Sequence, residues 1–348
     1  MNRNIQVLRA LAAYGVVGHH VIDSLRNYIA IGVFTANPQV GATGVNIFFV
    51  ISGFIMVLTT MDRSITPSEF IMNRIRRIVP IYWILTFVTI VALCAGLHIF
   101  NETTLGANRV IDSLFFLPNI APDDVVVRPI LFVGWTLNYE MMFYLIFAMF
   151  LFLPIKALRF WGIAAVLIGL WLVGTTGRSA YARYWGDDIV LAFLVGALLW
   201  PLARAYPMRS GLAFAAIPLA LIGLALPDLL PGLNAMPHSG LVVTVAAGVL
   251  VFAGVSLEQA GHSVRSGWLT QQGDASYSLY LIHPFVLQLL GKLSMKTGLN
   301  TSVAGLVVTV VIMMVASGYA GLMFHRFVEN PITQRLRRRE ARLRFAVS

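Results

Sequence analysis

Apolar segments long enough to cross a lipid bilayer are the feature that most constrains this fold. A transmembrane helix needs about 20 predominantly apolar residues, and the chain holds ten candidate segments. They are 6–24, 41–61, 79–98, 133–154, 157–175, 188–204, 211–227, 239–257, 274–291 and 302–325. Only 11% of the 348 residues are charged, whereas a soluble domain carries about 25%. The sequence therefore predicts an all-α polytopic membrane protein with about ten transmembrane helices.

The distribution of Lys and Arg predicts the orientation of these helices. Cytoplasmic loops of membrane proteins carry an excess of basic residues. With the N-terminus placed inside, most of the 25 Lys and Arg residues fall on the cytoplasmic side, and an even number of spans puts the C-terminus there too. We expect a transmembrane domain over 1–330 and a basic cytoplasmic tail over 331–348. The tail suits anionic lipid of the bilayer, so the net charge of +10 does not indicate nucleic-acid binding.

Ionisable side chains inside the spans are few, and such residues mark functional sites by default. Arg9 and His20 are eleven residues apart, which puts them about 20° apart on one helix face and roughly 16 Å apart along its axis. Asp23 lies on nearly the same face and is placed to hold the His20 imidazole in one tautomer. Glu140 and His283 come from two other spans at compatible depths. A structural Glu–His pair that only locks helices together is the alternative interpretation.

A second polar cluster follows the second span, in the stretch MDRSITPSEFIMNRIRRIVPIYW. We expect a cytoplasmic loop here that carries Arg74, Arg76 and Arg77, with Pro80 opening the next helix. Arg74 and Arg77 are three residues apart, so they face one way if the stretch is helical and form a fork suited to phosphate. A topology signal without any ligand is the alternative explanation of such a cluster.

Six ordered sequence elements resemble the membrane-bound acyltransferase-3 family, which includes O-acetyltransferases of lipopolysaccharide, exopolysaccharide, Nod factors and peptidoglycan. The elements are LRALAAYGVVGHH with its Arg-x10-His spacing, GVNIFFVISGFIM, FIMNRIRRIVPIYW with its Arg-x-x-Arg spacing, WTLNYEMMFYLIF, SYSLYLIHPFV and FVENP. Their order and spacing make the resemblance specific. Asn46 departs from it, because the family often has Asp there. The family also often carries a fused soluble domain, and we expect none in this chain. The membrane unit or a separate partner in glycan assembly is therefore expected to complete the transfer.

The resemblance implies transfer of an acyl group, with acetyl expected, from cytoplasmic acyl-CoA to a hydroxyl of a cell-surface or exported glycan at the bacterial inner membrane. It implies that the CoA phosphates are held by Arg74 and Arg77, with Arg76 as a further candidate, and that Arg9 binds another phosphate or the pantetheine end. His20 would act as general base or as an acyl-accepting nucleophile, with Glu140 or Asp23 stabilising the imidazolium. The residues expected to position the substrates are Trp135, Tyr277, His283, Asn46 and Tyr144.

A proton-coupled transporter of a sugar or lipid-linked glycan is the main alternative function. His20, Glu140 and His283 would then form a proton relay. Transporter sites are usually marked by a pair of broken spans in matching halves of the chain, and the sequence shows no such pair. No metal is expected, because His19 and His20 are adjacent and neither Cys nor a carboxylate completes a ligand set around them.

Overall fold

The structure is a computed structural model that describes residues 2–28, 38–61, 65–97, 105–121 and 125–347, with the side chains of 27, 28, 127 and 339–347 left aside. The described residues form a helical bundle with one antiparallel ribbon, in which β1 (Asn119–Ile120) pairs with β2 (Val126–Val127). The helices are α1 (Arg3–Tyr28), α2 (Gly44–Thr60), α3 (Pro67–Cys94), α4 (Ala107–Leu114), α5 (Trp135–Phe150), α6 (Lys156–Thr176), α7 (Ala180–Trp185), α8 (Val190–Ala205), α9 (Ser210–Leu229), α10 (Gly240–Gln259), α11 (Gly267–Asp274), α12 (Ser276–Lys296), α13 (Val303–Phe324) and α14 (Asn330–Val347). Single 3-10 turns lie at Phe132–Gly134, Pro231–Ala235 and Leu299–Thr301, and a π-helical turn lies at His325–Glu329.

Each of the ten predicted spans coincides with one long helix, and the all-helical prediction is confirmed. Within the described ranges, seven helices are long and apolar enough to cross a membrane. Helices α2, α5 and α12 lie outside that set, whereas α7 and α8 count in it together as one stretch, Ala180–Ala205. Helices α2 and α5 have only 17 and 16 residues. The count of ten crossings, the sides of the bilayer and the division of the chain at residue 330 stay predictions.

The prediction of a loop around the three arginines is wrong, because α3 begins well before Pro80. The Thr66 hydroxyl accepts a hydrogen bond from the Glu69 backbone N–H at 3.2 Å, and the Glu69 carboxylate accepts one from the Thr66 N–H at 3.1 Å. This capping box starts the helix at Pro67, since it satisfies backbone donors that a helix leaves open at its N-terminus. The arginines therefore lie on a helix, and Pro80 lies inside it.

Helix α1 runs through the middle of the bundle, where it packs against α2, α10, α11, α12 and α13. The Glu258 carboxylate, from the last turn of α10, accepts hydrogen bonds from the backbone N–H groups of Arg3 at 2.9 Å and Asn4 at 2.7 Å. A carboxylate at this position stabilises the positive end of the helix dipole. We call the end of the bundle where α1 begins the N-terminal end, and the other the opposite end.

Helices α2 and α8 approach until their backbones touch, which fixes the face that α2 turns to the interior. A Cβ on Gly53 would lie 2.1 Å from the Phe193 carbonyl oxygen, and one on Gly196 would lie 1.9 Å from that of Val50. Only glycine permits such an approach, and small residues at helix contacts are typical of membrane bundles. Ser52, next to one of these glycines, consequently faces the interior cavity described next.

Candidate active site

Two adjoining cavities lie in the bundle, one toward each end. The arginine cavity lies toward the N-terminal end and is the smaller of the two, and the histidine cavity lies toward the opposite end. The arginine cavity is lined by residues that include Arg9, Ser52, Arg74, Arg77, Glu140, Tyr144 and Tyr277. The histidine cavity is lined by residues that include His19, His20, Asn46, Trp135, Asn138, Tyr184 and Asp187. Val45 and Tyr280 line both, so the two cavities meet at these side chains.

The arginine cavity brings together guanidinium groups from two helices. The Arg74 guanidinium lies over the rings of Phe70 at 5.4 Å and Tyr144 at 5.8 Å, a cation–π arrangement. Its Nε is buried and has no hydrogen-bond partner among the described residues. Arg9 is buried and donates to the Gln6 side-chain oxygen at 3.1 Å. The charge of Arg77 acts on both Arg9 and Arg74, so like charges converge on one small space.

The structure places Glu140 with the arginines, away from the histidines. Its carboxylate accepts hydrogen bonds from the Tyr144 hydroxyl and, at 3.4 Å, from the Ser52 hydroxyl. Its charge acts on Arg9 and on Arg74. The Glu140 carboxylate therefore balances part of the positive charge of the arginine cavity.

The other predicted residues of this cluster take different positions. Tyr277 lines the arginine cavity and its hydroxyl donates to the Ile78 carbonyl at 2.8 Å, so the phenol holds α12 against α3. Arg76 is half-buried and does not line the arginine cavity. The predicted role of Arg76 in binding CoA stays a prediction.

The two histidines singled out in the sequence lie against each other. The ring of His20 stacks on that of His283, with centroids 5.3 Å apart and planes 25° apart, and meets Phe132 edge-on at 5.2 Å. His283 is fully buried, and its Nδ1 lies 3.2 Å from the Leu279 carbonyl oxygen. A carbonyl only accepts, so Nδ1 carries the proton in the neutral ring and Nε2 carries the lone pair. That Nε2 has no hydrogen-bond partner among the described residues.

His19 and Asp23 differ in their relation to the histidine cavity. The Nδ1 of His19 donates to the Pro38 carbonyl at 2.8 Å, and its ring lies edge-on to His20 at 5.2 Å. Asp23 is half-buried one turn beyond His20 and lines neither cavity. Its predicted role in orienting the imidazole stays a prediction.

One wall of the histidine cavity was missed in the sequence analysis. It is formed by Tyr184 of the short helix α7, by Asp187 just after that helix and by residues of α5. Tyr184 stacks on Tyr139 with ring centroids 4.8 Å apart, and the Tyr139 hydroxyl donates to the Tyr184 carbonyl at 2.5 Å. The Asn138 amide donates to the Tyr184 hydroxyl at 3.1 Å, and Asp187 follows at the cavity surface. The dense aromatic and acidic run YARYWGDD between two spans is the signal that points to this wall.

The remaining predicted residues of the histidine cavity lie on helices α2 and α5. Trp135 is half-buried and meets Tyr139 edge-on at 6.0 Å. The Asn46 amide donates to the Thr244 hydroxyl at 3.1 Å, so Asn46 both lines the cavity and joins α2 to α10. An amide and an indole at a cavity wall suit a polar ligand with flat apolar faces, such as a sugar ring.

Tyr280 forms a rigid part of the wall between the two cavities. Its hydroxyl donates to the Val133 carbonyl at 3.0 Å and accepts from the Thr136 hydroxyl at 3.0 Å. Val45 faces the same boundary from α2. Any molecule that reaches from the arginines to His20 has to pass these two side chains.

Among the described residues, no group of three or more His, Cys, Asp and Glu side chains is arranged to hold a metal ion. The charged groups that could hold a ligand are instead the guanidinium groups of the arginine cavity and, in the histidine cavity, Arg128 and Asp187.

Comparison with known proteins matches almost the whole chain to one family. A family model described as an acyltransferase domain matches residues 2–321. The exopolysaccharide production protein ExoZ of Rhizobium meliloti strain 1021 is 36% identical over 86% of this chain and 92% of its own length. Acyltransferase MdmB of Streptomyces mycarofaciens is 25% identical over 95% of this chain and 92% of its own length. The putative peptidoglycan O-acetyltransferase YrhL of Bacillus subtilis strain 168 is 26% identical over 53% of this chain and 33% of its own length. No solved structure matches the chain.

The apolar helices, the paired cavities and these relatives define a multi-pass membrane enzyme that transfers acyl groups. In particular, the chain belongs to the acyltransferase-3 family, and it is an O-acyltransferase. The resemblance based on six sequence elements is thereby confirmed. The FVENP element lies beyond the matched residues.

Proposed function

We propose that the protein transfers an acyl group, acetyl in the first instance, from acyl-CoA to a hydroxyl of an exported or cell-surface glycan. The observation that carries the proposal is the junction of an arginine-lined cavity with a histidine cavity along one helix, α1. The printed names of two relatives, an exopolysaccharide production protein and a putative peptidoglycan O-acetyltransferase, support a polysaccharide as acceptor.

The arginine cavity suits the phosphate groups of CoA. Guanidinium groups bind phosphate through paired, charge-assisted hydrogen bonds, and Arg9, Arg74 and Arg77 present such groups to one space. The charge of Arg337, on α14, also acts on Arg74, which brings the C-terminal helix to the same cluster. We place this end of the bundle at the cytoplasmic side of a bacterial inner membrane, where acyl-CoA is found.

The pantetheine arm would then reach from the arginines past Val45 and Tyr280 to His20. Arg9 and His20 lie roughly 16 Å apart along α1, a distance that an extended pantetheine arm spans. This arrangement brings a thioester from one end of the bundle to an acceptor at the other. The acceptor hydroxyl would lie in the histidine cavity, against Trp135, Tyr184 and Asp187.

His20 acts as general base in this proposal. Its imidazole takes the proton of the acceptor hydroxyl while the oxygen attacks the thioester carbonyl carbon. The carbon–sulfur bond breaks, and the CoA thiolate leaves with the proton returned by the imidazolium. The products are an O-acyl ester and CoA. An acyl-imidazole on His20 is the two-step alternative, and the stacked ring of His283 positions His20 in either case.

The test is acyl transfer by the purified protein in lipid nanodiscs with radiolabelled acetyl-CoA and the glycan fraction of the producing cells. We expect label in the glycan with the wild type and none with His20→Ala, while both retain CoA binding. Mass spectrometry of the surface polysaccharide from cells with and without the protein then identifies the modified sugar. Label that never reaches glycan, or glycan uptake into proteoliposomes that proceeds without CoA, would refute the proposal and favour a transporter.

A further inference from the structure

An apolar groove runs along the face of α1 that is turned toward α9, next to the histidine cavity. It lies between α1 and α9, with α2 and α10 behind it. Along α1 it extends from Asn4 to Gly15. Leu8 and Ile47 form part of its buried floor, whereas Leu11 and Leu221 stand on its rim, 55% and 52% exposed.

The segment 38–43 separates this groove from the histidine cavity. Val40 and Gly41 line the groove, Gln39 and Ala42 line the histidine cavity, and Thr43 lines both. A molecule that lies in the groove therefore needs to cross only one residue, Thr43, to enter the cavity that contains His20. The groove and the cavity therefore adjoin at Thr43.

The segment 38–43 is held in place by contacts with two helices, α9 and α1. The Asp228 carboxylate accepts hydrogen bonds from the backbone N–H groups of Gln39 at 2.6 Å and Val40 at 2.7 Å. On the α1 side, the Pro38 carbonyl accepts the hydrogen bond from His19. Gly41 lies so close to α1 that a Cβ would be 2.4 Å from the Gly15 carbonyl oxygen. The edge between groove and cavity is thus fixed beside the two histidines.

We propose that the groove holds the hydrocarbon chain of a lipid that carries the glycan acceptor, so that the attached sugar crosses Thr43 into the histidine cavity. The inference rests on the proposed function. The groove is lined almost wholly by apolar side chains, so a glycan there would leave its hydroxyls without hydrogen bonds. Its length along α1, roughly 16 Å, accommodates a chain of more than ten carbon atoms. The polar groups begin on the far side of Thr43, where a headgroup would lie.

The proposal predicts that the enzyme distinguishes an acceptor with its lipid from the same acceptor without it. The two probes are the lipid-linked glycan extracted into organic solvent from the producing cells and the water-soluble glycan released from it by mild acid. Label transfer from radiolabelled acetyl-CoA is measured with each probe in nanodiscs. We expect the KM of the wild type for the lipid-linked probe to be at least about tenfold lower.

Filling the groove tests the site itself. Leu221→Trp puts a larger side chain on the groove rim, and it should raise the KM for the lipid-linked probe about tenfold. The kcat/KM for the soluble probe and the KM for acetyl-CoA should not change. Leu219→Trp is the matched control, since Leu219 lies on the same helix, is 67% exposed and does not line the groove.

The outcomes separate this inference from the proposed function. Equal kcat/KM for the two probes with the wild type, or equal effects of Leu221→Trp and Leu219→Trp, would overturn the groove proposal and leave the activity standing. Native mass spectrometry gives a second readout, in which the wild type retains the lipid-linked glycan and Leu221→Trp loses it. If no label reaches either probe but the wild type retains the lipid-linked glycan, the groove proposal stands and the proposed activity fails. If neither is seen, both fail.

Discussion

The arginine cavity and the histidine cavity differ in size, charge and chemistry, although α1 lines both. The arginine cavity has less than half the volume of the other and carries three guanidinium groups against one carboxylate. The histidine cavity is lined mainly by imidazole, amide, phenol and indole groups, and it also carries the guanidinium of Arg128 and the carboxylate of Asp187. The first environment suits a compact polyanion, and the second suits a neutral molecule with many hydroxyls. Under the proposed function, donor and acceptor would enter from separate ends and meet at the wall of Val45 and Tyr280.

The largest effect is expected at His20. His20→Ala removes the base, and we expect the rate of acyl transfer to fall about a thousandfold, while the Kd for acetyl-CoA stays unchanged because the arginine cavity is intact. Single-turnover transfer and equilibrium binding of labelled acetyl-CoA measure the two quantities. A His20→Ala protein that binds acetyl-CoA far more weakly would show that the two cavities do not divide the substrates in this way.

Substitutions in the arginine cavity should weaken the binding of acetyl-CoA and leave the rate of acyl transfer nearly unchanged, the reverse of the effect expected at His20. Arg74→Ala together with Arg77→Ala removes two charge-assisted contacts to phosphate, and we expect the KM for acetyl-CoA to rise about a hundredfold with a much smaller change in kcat. Arg76→Ala should change KM less, because Arg76 does not line the cavity. Steady-state kinetics at fixed glycan concentration measure both. An unchanged KM for acetyl-CoA in the double variant would show that the donor does not bind in this cavity.

The wall between the cavities offers a third test. Val45→Phe narrows the boundary with Tyr280, so we expect kcat to fall about tenfold because the thioester is held short of His20, with the Kd for acetyl-CoA unchanged. Val45→Ala, which widens the boundary, is the control and should retain most of the activity. Equal kcat in the two variants would mean that the donor takes another path.

The smallest effect is expected at the C-terminal helix. Arg337→Ala removes an exposed charge near Arg74. We expect the KM for acetyl-CoA to rise roughly threefold. The effect should vanish with the acetyl thioester of dephospho-CoA, because that donor lacks the 3'-phosphate that Arg337 is expected to contact. Arg338→Ala, on the same exposed helix, is the matched variant. Equal effects of the two substitutions would indicate a general influence of positive charge on donor binding.

The sequence predicts the helices well because the cost of placing a residue in a membrane depends mainly on that residue alone. It also predicts that Arg9 and His20 share one face, since regular helix geometry determines this without reference to any neighbour. Both groups do line the interior cavities. The start of α3 was missed because the apolar run begins only after the arginines, while the capping box lies in a polar stretch.

The partners of a polar side chain on another helix could not be predicted in the same way. Glu140 was expected to assist His20. The structure places it against Tyr144, four residues along the same helix, and against Ser52 of α2 rather than a histidine. That choice depends on how α5 is rotated and shifted against α2, which is decided by packing contacts that leave no periodic signal in an apolar sequence. The same reason explains why Tyr184 on α7 was missed, since a helix of six residues is too short to show a periodicity.

The continuity of α1 has a consequence for the donors that the enzyme accepts. Arg9 and His20 belong to one unbroken helix whose first turn is held by Glu258, so under the proposed function the helix fixes the spacing between the group that binds the donor phosphates and the base. A longer or shorter donor arm would have to be accommodated by side chains, because neither residue can slide along α1. A single residue inserted into α1 between them would turn the imidazole by about 100° away from the guanidinium and put it out of phase with the bound thioester.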